Sequence, residues 1–349
     1  MPISIIVGGQ YGSEGKGKVS QFWAKKIGAS AVVRVGGPNS GHTAYNKRGE
    51  KMIFSQLPAA CIDGNIPAIL PAGSYINISK LMSEIEMLNG NILLHIDPNA
   101  VIIDDDTMRA EDMLMLQARI GSTLSGTGEA VAKRVMRSNV TLARDVMELR
   151  PYISDTKDAM HSILFESYDD IVIEGTQGYG LSNLHAECYP YATGRDTTAA
   201  GFLSETGLSP FDVNHIVMVL RTYPIRVAGN SGPLKDEITW ETVTAESGSK
   251  VPIFEYTSVT KKLRRVGRFD PSLVCDAIHA NKPDVIFLNH ADYYDAENAD
   301  NPVLSERQRC CIANVEKKIG QRINYVGNGP RTIINMESRP FCSEVNCDG

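Results

Sequence analysis

The chain has 349 residues, 42% of them hydrophobic and 22% charged, with a formal net charge of −6. An acidic chain lacks the wide basic face that nucleic-acid polymers require, and no segment approaches the roughly 18 consecutive apolar residues of a membrane span. The cysteines, Cys61, Cys188, Cys275, Cys310, Cys311, Cys342 and Cys347, form an odd set without CxxC spacing, which indicates neither a zinc site nor a disulfide framework.

No leader pattern opens the chain, so a reduced, cytoplasmic protein is expected. The length suits one large α/β unit whose insertions form subdomains, over residues 1–349, with a tail of unknown role at 337–349.

In chain order, Ile3 to Val7 is a β-branched apolar run, Gly8 to Gly17 is glycine-rich and polar, and a helical pattern begins near Val19. Strand, phosphate-cradling loop and helix are the expected elements, with Lys16 and Lys18 adding charge to the helix N-terminus. Gly12 to Lys18 fits GxxxxGK, but Val19 stands where a Mg²⁺-binding Ser or Thr would follow. A second strand, Ala31 to Val35, runs into GGPNSGHT; His42 sits in that glycine-rich turn, where active-site groups of open α/β sheets gather.

The spacing predicts a helix over Ile78 to Leu88 and strands at Ile92 to Ile96 and Val101 to Ile103. Asp104 to Asp106 reads as a capped turn before a helix around Met108 to Leu116, in preference to a metal site. Ile120 to Arg137 is a Gly/Ser/Thr loop followed by a basic helix. Further strands are expected at Asp170 to Glu174, Ile216 to Arg221 and Val285 to Leu288. Together these predict an α/β fold: a central, mostly parallel sheet flanked by helices, with a P-loop-like first strand-loop-helix.

GGQYGSEGKGKV resembles the signature loop of adenylosuccinate synthetases, GxQWGDEGKGK, with Ser13 in place of an aspartate that serves there as catalytic base and Mg²⁺ ligand. GGPNSGHT is similar to GGxNAGHT, and EGTQGYGLSNLHAECYPYATGRDTTAAG to the family's EGAQG…YPYVTSSNTTAGG segment, with Gly194-Arg195 replacing two serines. Further likenesses are Ile120 to Arg137, TYPIRVAGNSGP, EYTSVTKKLRRVGRFDP, NHAD and NYVGNGPRT, so the resemblance covers residues 3 to about 335.

The resemblance implies Ser13, His42 and Lys16 as catalytic. The nucleotide substrate would meet Ser13, Asn39, Ser122, Thr123, Gln177, Leu181, Thr193, Val227 and Lys262. Lys133 or Arg134 would reach its phosphate across a homodimer interface. Aspartate would be held by Val259, Thr260, Arg264 and Arg265, since a planar guanidinium fork suits a carboxylate.

ATP would lie on Gly12, Glu14, Gly15, Lys16, Gly17, Gly41, His42, Thr43, Asn289, Asp292, Gly327, Asn328, Gly329 and Pro330. Mg²⁺ would take Ser13 and the Gly41 carbonyl.

Three departures point the same way. Ser13 leaves room beside N1 for a 2-amino group; Lys262 and Leu263 weaken a 2′-hydroxyl contact; NHAD lacks the lysine of the guanine-reading TKxD. They resemble the viral branch of the family, which joins L-aspartate to dGMP with ATP to give N6-succino-2-amino-2′-deoxyadenylate. The acceptor of the N1 proton stays open between Glu14 and a water at Ser13. Alternatives are an ordinary member using IMP and GTP, and a non-catalytic nucleotide binder.

Overall fold

The protein is described from a computed structural model over residues 2–257 and 261–336. Nine strands form the central sheet: β1 (Ile3–Gly8), β2 (Ala31–Arg34), β3 (Ala68–Leu70), β4 (Leu94–Ile96), β5 (Ile171–Glu174), β6 (Val213–Arg221), β7 (Val285–Asn289), β8 (Tyr325–Asn328) and β9 (Thr332–Asn335). Their order is β9-β8-β7-β6-β1-β5-β2-β3-β4, and every pairing is parallel except β8 with β9.

Both faces of a parallel sheet are covered, and the β1 side chains show it. Ile3, Ile5 and Val7 enter one core with Met218, Leu220 and Phe202; Ile6 enters the opposite one with Val19, Trp23 and Phe287. Ser4 shares the Ile6 side and accepts a 2.9 Å hydrogen bond from Trp23 Nε1. Because β1 lies between β5 and β6, chain order reverses beside it, the usual place for a ligand crevice.

The loops after β1, β2, β5, β6, β7 and β8, most of them glycine-rich, leave the carboxyl ends of their strands, so one rim of the sheet collects most of the singled-out motifs. A separate three-stranded sheet, Ile225–Arg226, Arg265–Gly267 and Glu237–Ile238, packs on its own cluster of Tyr223, Ile225, Trp240, Val243 and Val266. No helix among the described residues is long and apolar enough to cross a membrane.

Expected elements recur with shifted ends. The first helix, α1 (Lys16–Ile27), begins before Val19 because Gly15, at φ 92°, starts it without a side-chain cap, so both lysines are helical. The helix α2 spans Ile78–Met87, capped by Asn77. Asp104 caps α3 (Asp105–Met113) by accepting from Thr107 N at 2.8 Å; the chain then turns into a separate helix α4 (Leu116–Ile120), followed by α5 (Thr127–Val135).

Candidate active site

Ser13 crowns the loop after β1 with φ 59°. Its carbonyl accepts from Arg221 Nη1 at 3.0 Å, and its hydroxyl accepts from Arg264 Nη1. Arg221 is fully buried and pairs with Glu255, which also accepts from the Tyr293 hydroxyl at 2.8 Å. Burial opposes ionisation of Glu255, but the Arg221 charge outweighs it and holds the carboxyl at about 2. A guanidinium–carboxylate pair thus props the reacting loop from below.

Glu14 points into its own loop. Its Oε1 accepts from the backbone N–H of Gln10 at 3.2 Å and of Gly12 at 2.7 Å, while Oε2 pairs with Lys16 Nζ at 2.7 Å. The carboxylate is fully buried and holds the loop shut.

Gly17, on the first turn of α1, packs on the strand that begins at His42: a Cβ there would lie 2.9 Å from both His42 Cβ and the Thr43 carbonyl. His42 is itself buried, with Nδ1 2.6 Å from Glu174 Oε1, while Arg34 Nη1 donates to the same oxygen at 2.9 Å. Burial and the Arg34 charge hold the imidazole down at about 4. Burial opposes charge on Glu174 too, but the His42 hydrogen bond and Arg34 hold it at about 2. The ring is therefore neutral near pH 7 and braced by a permanent carboxylate.

Around this centre, Asn39 Nδ2 lies 3.5 Å from Thr193 Oγ1, and Thr193 N donates to the Leu181 carbonyl at 2.7 Å. Gln177, at φ 58°, borders the first loop, its Cα 3.4 Å from a Cβ placed on Gly12. The Ser122–Thr123 turn reaches Val227 through Ser231: a Cβ on Gly121 would meet Ser231 Cα at 3.0 Å, and Ser231 Oγ donates to the Val227 carbonyl at 2.6 Å.

Arg134 is committed within its own chain, its Nη1 donating to the carbonyls of Ala72 at 2.8 Å and Asn99 at 3.0 Å. Neither Lys133 nor Arg137 has a hydrogen-bonded side-chain partner among the described residues.

Of the four residues expected to hold aspartate, Val259 and Thr260 lie outside the described residues. Arg264 reaches Ser13, whereas Arg265 is held by Glu237 (Nε to Oε1, 2.7 Å) and the Gly232 carbonyl (2.6 Å). The two neighbouring arginines therefore face different partners. Lys262 is tied through its backbone, N–H to Thr257 Oγ1 at 3.0 Å.

On the other flank, Asn289 Nδ2 donates to the Glu14 carbonyl at 2.7 Å, and its buried Oδ1 has no partner. A Cβ on Gly327 would fall 2.0 Å from that oxygen, so only glycine fits there. Asp292 accepts from Gly329 N at 2.9 Å, and Lys18 Nζ donates to the Gly329 and Thr332 carbonyls at 2.8 Å each. The Asn328 amide is engaged in the core, accepting from Gln308 and donating to the Asn298 and Asn301 carbonyls; Pro330 is exposed.

The family profile described as adenylosuccinate synthetase matches residues 5–148 and 142–300. A curated relative, the adenylosuccinate synthetase of Methanococcus vannielii, is 36% identical, with 97% of this chain and 99% of that one covered. The chain belongs to the adenylosuccinate synthetase family.

Another relative is the N6-succino-2-amino-2′-deoxyadenylate synthase of Vibrio phage phiVC8, 33% identical with 97% and 98% covered. Among solved structures, the fully ligated Plasmodium falciparum adenylosuccinate synthetase shares the fold at TM-score 0.84 and 21% identity, covering 96% of this chain and 100% of that one. The succinoaminodeoxyadenylate synthetase of cyanophage S-2L, bound to dGMP and dATP as an energy donor, matches at TM-score 0.78 and 29% identity, covering 96% and 95%. The protein is thus a nucleotide-dependent ligase of the family.

The sequence reading passed over Arg34, Glu174, Arg221 and Glu255. Each charged group ends a strand of the central sheet or faces one that does, and a charge at the carboxyl end of an apolar run was the available signal. Among the described residues no group of three or more His, Cys, Asp or Glu could hold a metal. A hard cation here fits only a shell completed by donor phosphates and water around few protein oxygens, which is how Mg²⁺ is ordinarily bound.

Proposed function

We propose that this family member joins L-aspartate to C6 of dGMP at the expense of ATP, giving N6-succino-2-amino-2′-deoxyadenylate. The observation that carries the reading is Ser13: the crown of the loop presents a hydroxyl where the family's carboxylate would face N1, and the carboxylate next in the chain, Glu14, is turned inward. A carboxylate beside a 2-amino group would crowd it, and an uncharged serine leaves space. The two phage relatives named above support the same substrate.

In this reading O6 of the purine attacks the γ-phosphorus, the bond to the β–γ bridging oxygen breaks, and the N1 proton leaves to a water at Ser13, because the Glu14 carboxylate is buried and turned onto the Gln10 and Gly12 N–H groups of its own loop. The α-amine of aspartate then adds to C6 and gives up its surplus proton to water; the C6–O bond breaks and phosphate departs with its electron pair, taking a proton at that oxygen from His42. Lys16 turns from Glu14 to the transferring phosphoryl group, where fixed positive charge lowers the barrier most.

His42 delivers a proton at O6; its pKa, low in this structure, rises once donor phosphates lie beside it, and Glu174 stabilises the imidazolium. Arg264 moves from Ser13 to an aspartate carboxylate. The Gly41 carbonyl, and the Ser13 hydroxyl once Arg264 has left it, would hold Mg²⁺ together with the donor phosphates, and the ion would supply charge neutralisation there.

Met113, Leu114 and Met115 at the end of α3, with Val135 and Met136 at the end of α5, are 50–84% exposed on helices that pack together. Such a patch suits a homodimer interface. With Arg134 committed to its own chain, Lys133 or Arg137 is the cation offered across it.

The test is phosphate release and product mass with Mg²⁺, L-aspartate and ATP, offering dGMP, GMP, dIMP or IMP separately. Preferred turnover of dGMP is expected. Preference for IMP would return the protein to ordinary adenylosuccinate synthesis, and nucleotide binding without product would make it a non-catalytic binder.

A further inference from the structure

Away from the crevice, a cavity of about 420 Å³ lies along α5, walled by Tyr75, Val131, Arg134, Asn183, Arg195 and Glu205 among others. Arg195 occupies the position where the family pattern has serine, and it is 7% exposed. Its Nη1 donates to both Glu205 oxygens at 2.9 Å, and its guanidinium lies 5.0 Å from the Tyr75 ring centre. Its Nη2 is buried without any acceptor.

A buried guanidinium N–H left unpaired is costly, and native structures rarely tolerate one unless a ligand or water completes it. Arg134 brings a second guanidinium to the same wall. Two cations therefore face one carboxylate, beside the apolar surfaces of Val131 and Tyr75.

We propose that this cavity is a second, oxyanion-binding site, which takes a phosphate group between Arg195 Nη2 and Arg134. It is separate from the nucleotide subsite: neither Asn39 nor Thr193 lines it, and the Gly128–Gly194 contact, 3.5 Å from a Cβ placed on Gly194, stands at the start of the cavity's helix wall. It is nonetheless placed to influence that subsite. Gly194 adjoins Thr193, and Gly36, which opens the loop carrying Asn39, Gly41 and His42, lies against the Arg195–Glu205 pair, a Cβ placed on it standing 3.5 Å from Arg195 Nη1. An oxyanion that draws Arg195 from Glu205 loosens this anchor. The inference does not depend on which purine the enzyme converts.

Inorganic phosphate and a nucleoside monophosphate offer the same group, and equilibrium dialysis of the full chain with radiolabelled phosphate and, separately, with dAMP distinguishes them. The wild type is expected to bind one more equivalent per chain than the Arg195→Ser variant, whose affinity at this site falls by at least about tenfold, as loss of a charge-assisted hydrogen bond implies.

The Glu205→Gln variant, relieved of the opposing charge, is expected to bind several-fold more tightly. A purely structural Arg195–Glu205 pair would instead make both variants weaker or neutral, and that result overturns the proposal. If Arg195→Ser does not fold, Arg134→Gln with Glu205→Gln makes the same opposed comparison. Tungstate soaked into crystals should appear between the two guanidinium groups; a cavity filled by a side chain of a second copy, or no extra equivalent with either probe, would also overturn it.

Discussion

At the scale of single residues, Ser13, Arg264 and His42 make the sharpest claims. Ser13→Asp restores a carboxylate beside N1 and should lower dGMP turnover by at least about tenfold while raising use of IMP, since a mispaired or crowded polar group discriminates strongly; competition assays with the two nucleotides check it. Arg264→Ala should raise the KM for aspartate by about ten- to hundredfold, the equivalent of charge-assisted hydrogen bonds worth roughly 1.5–3 kcal/mol, with nucleotide affinity nearly unchanged. Equal loss for both substrates would remove Arg264 from the aspartate site.

His42 titrates near 4 in the fold, against about 6.5 for an unfolded chain. As pH falls the unfolded state takes the proton first, so this contribution to stability is complete above about 6.5 and declines toward about 4. Glu174, held at about 2, adds a second decline below the ordinary carboxylate range near 4.3. Denaturation midpoints measured across pH should therefore fall from pH 6.5 downward, and His42→Gln should flatten the upper part of that fall.

At the scale of elements, the loop after β1 depends on Gly15. Its φ of 92° is one an L side chain rarely adopts, and a Cβ would stand 2.7 Å from Asn289 Nδ2. Gly15→Ala should cost roughly 1–3 kcal/mol, read as a lower denaturation midpoint, and should weaken ATP binding, because the strained start of α1 and the Asn289–Glu14 link would both shift.

Strand, loop and helix were legible here from a β-branched run, glycines and lysines, yet the helix start was displaced to Lys16. A pattern of apolar spacing cannot register a turn of helix that begins on a glycine and carries lysines. The same limit explains Glu14: its position in the motif suggests ATP, whereas its oxygens close the loop, a fact that depends on how sharply the backbone turns between Gln10 and Lys16.

At the scale of the whole molecule, the exposed Met113, Leu114, Met115, Val135 and Met136 form the patch proposed above as the homodimer interface. Replacing Met113 and Met136 with Glu should shift the protein to monomer in sedimentation equilibrium. Because the second copy is expected to supply a cation to the substrate phosphate, activity should fall with it. A dimer that persists with full activity would place the interface elsewhere.

What the chain alone determined is the order and type of the main elements, the parallel sheet and the family, because these follow from local regularities: apolar runs, glycine-rich turns at their ends, and motifs in fixed sequence. Only the tertiary structure decided which charges meet. Arg264 faces Ser13 while Arg265 faces Glu237, Arg134 serves Ala72 and Asn99, and Arg34, His42 and Glu174 converge from three separate segments. Those pairings join residues distant in sequence through burial and backbone direction, which no periodicity along the chain encodes.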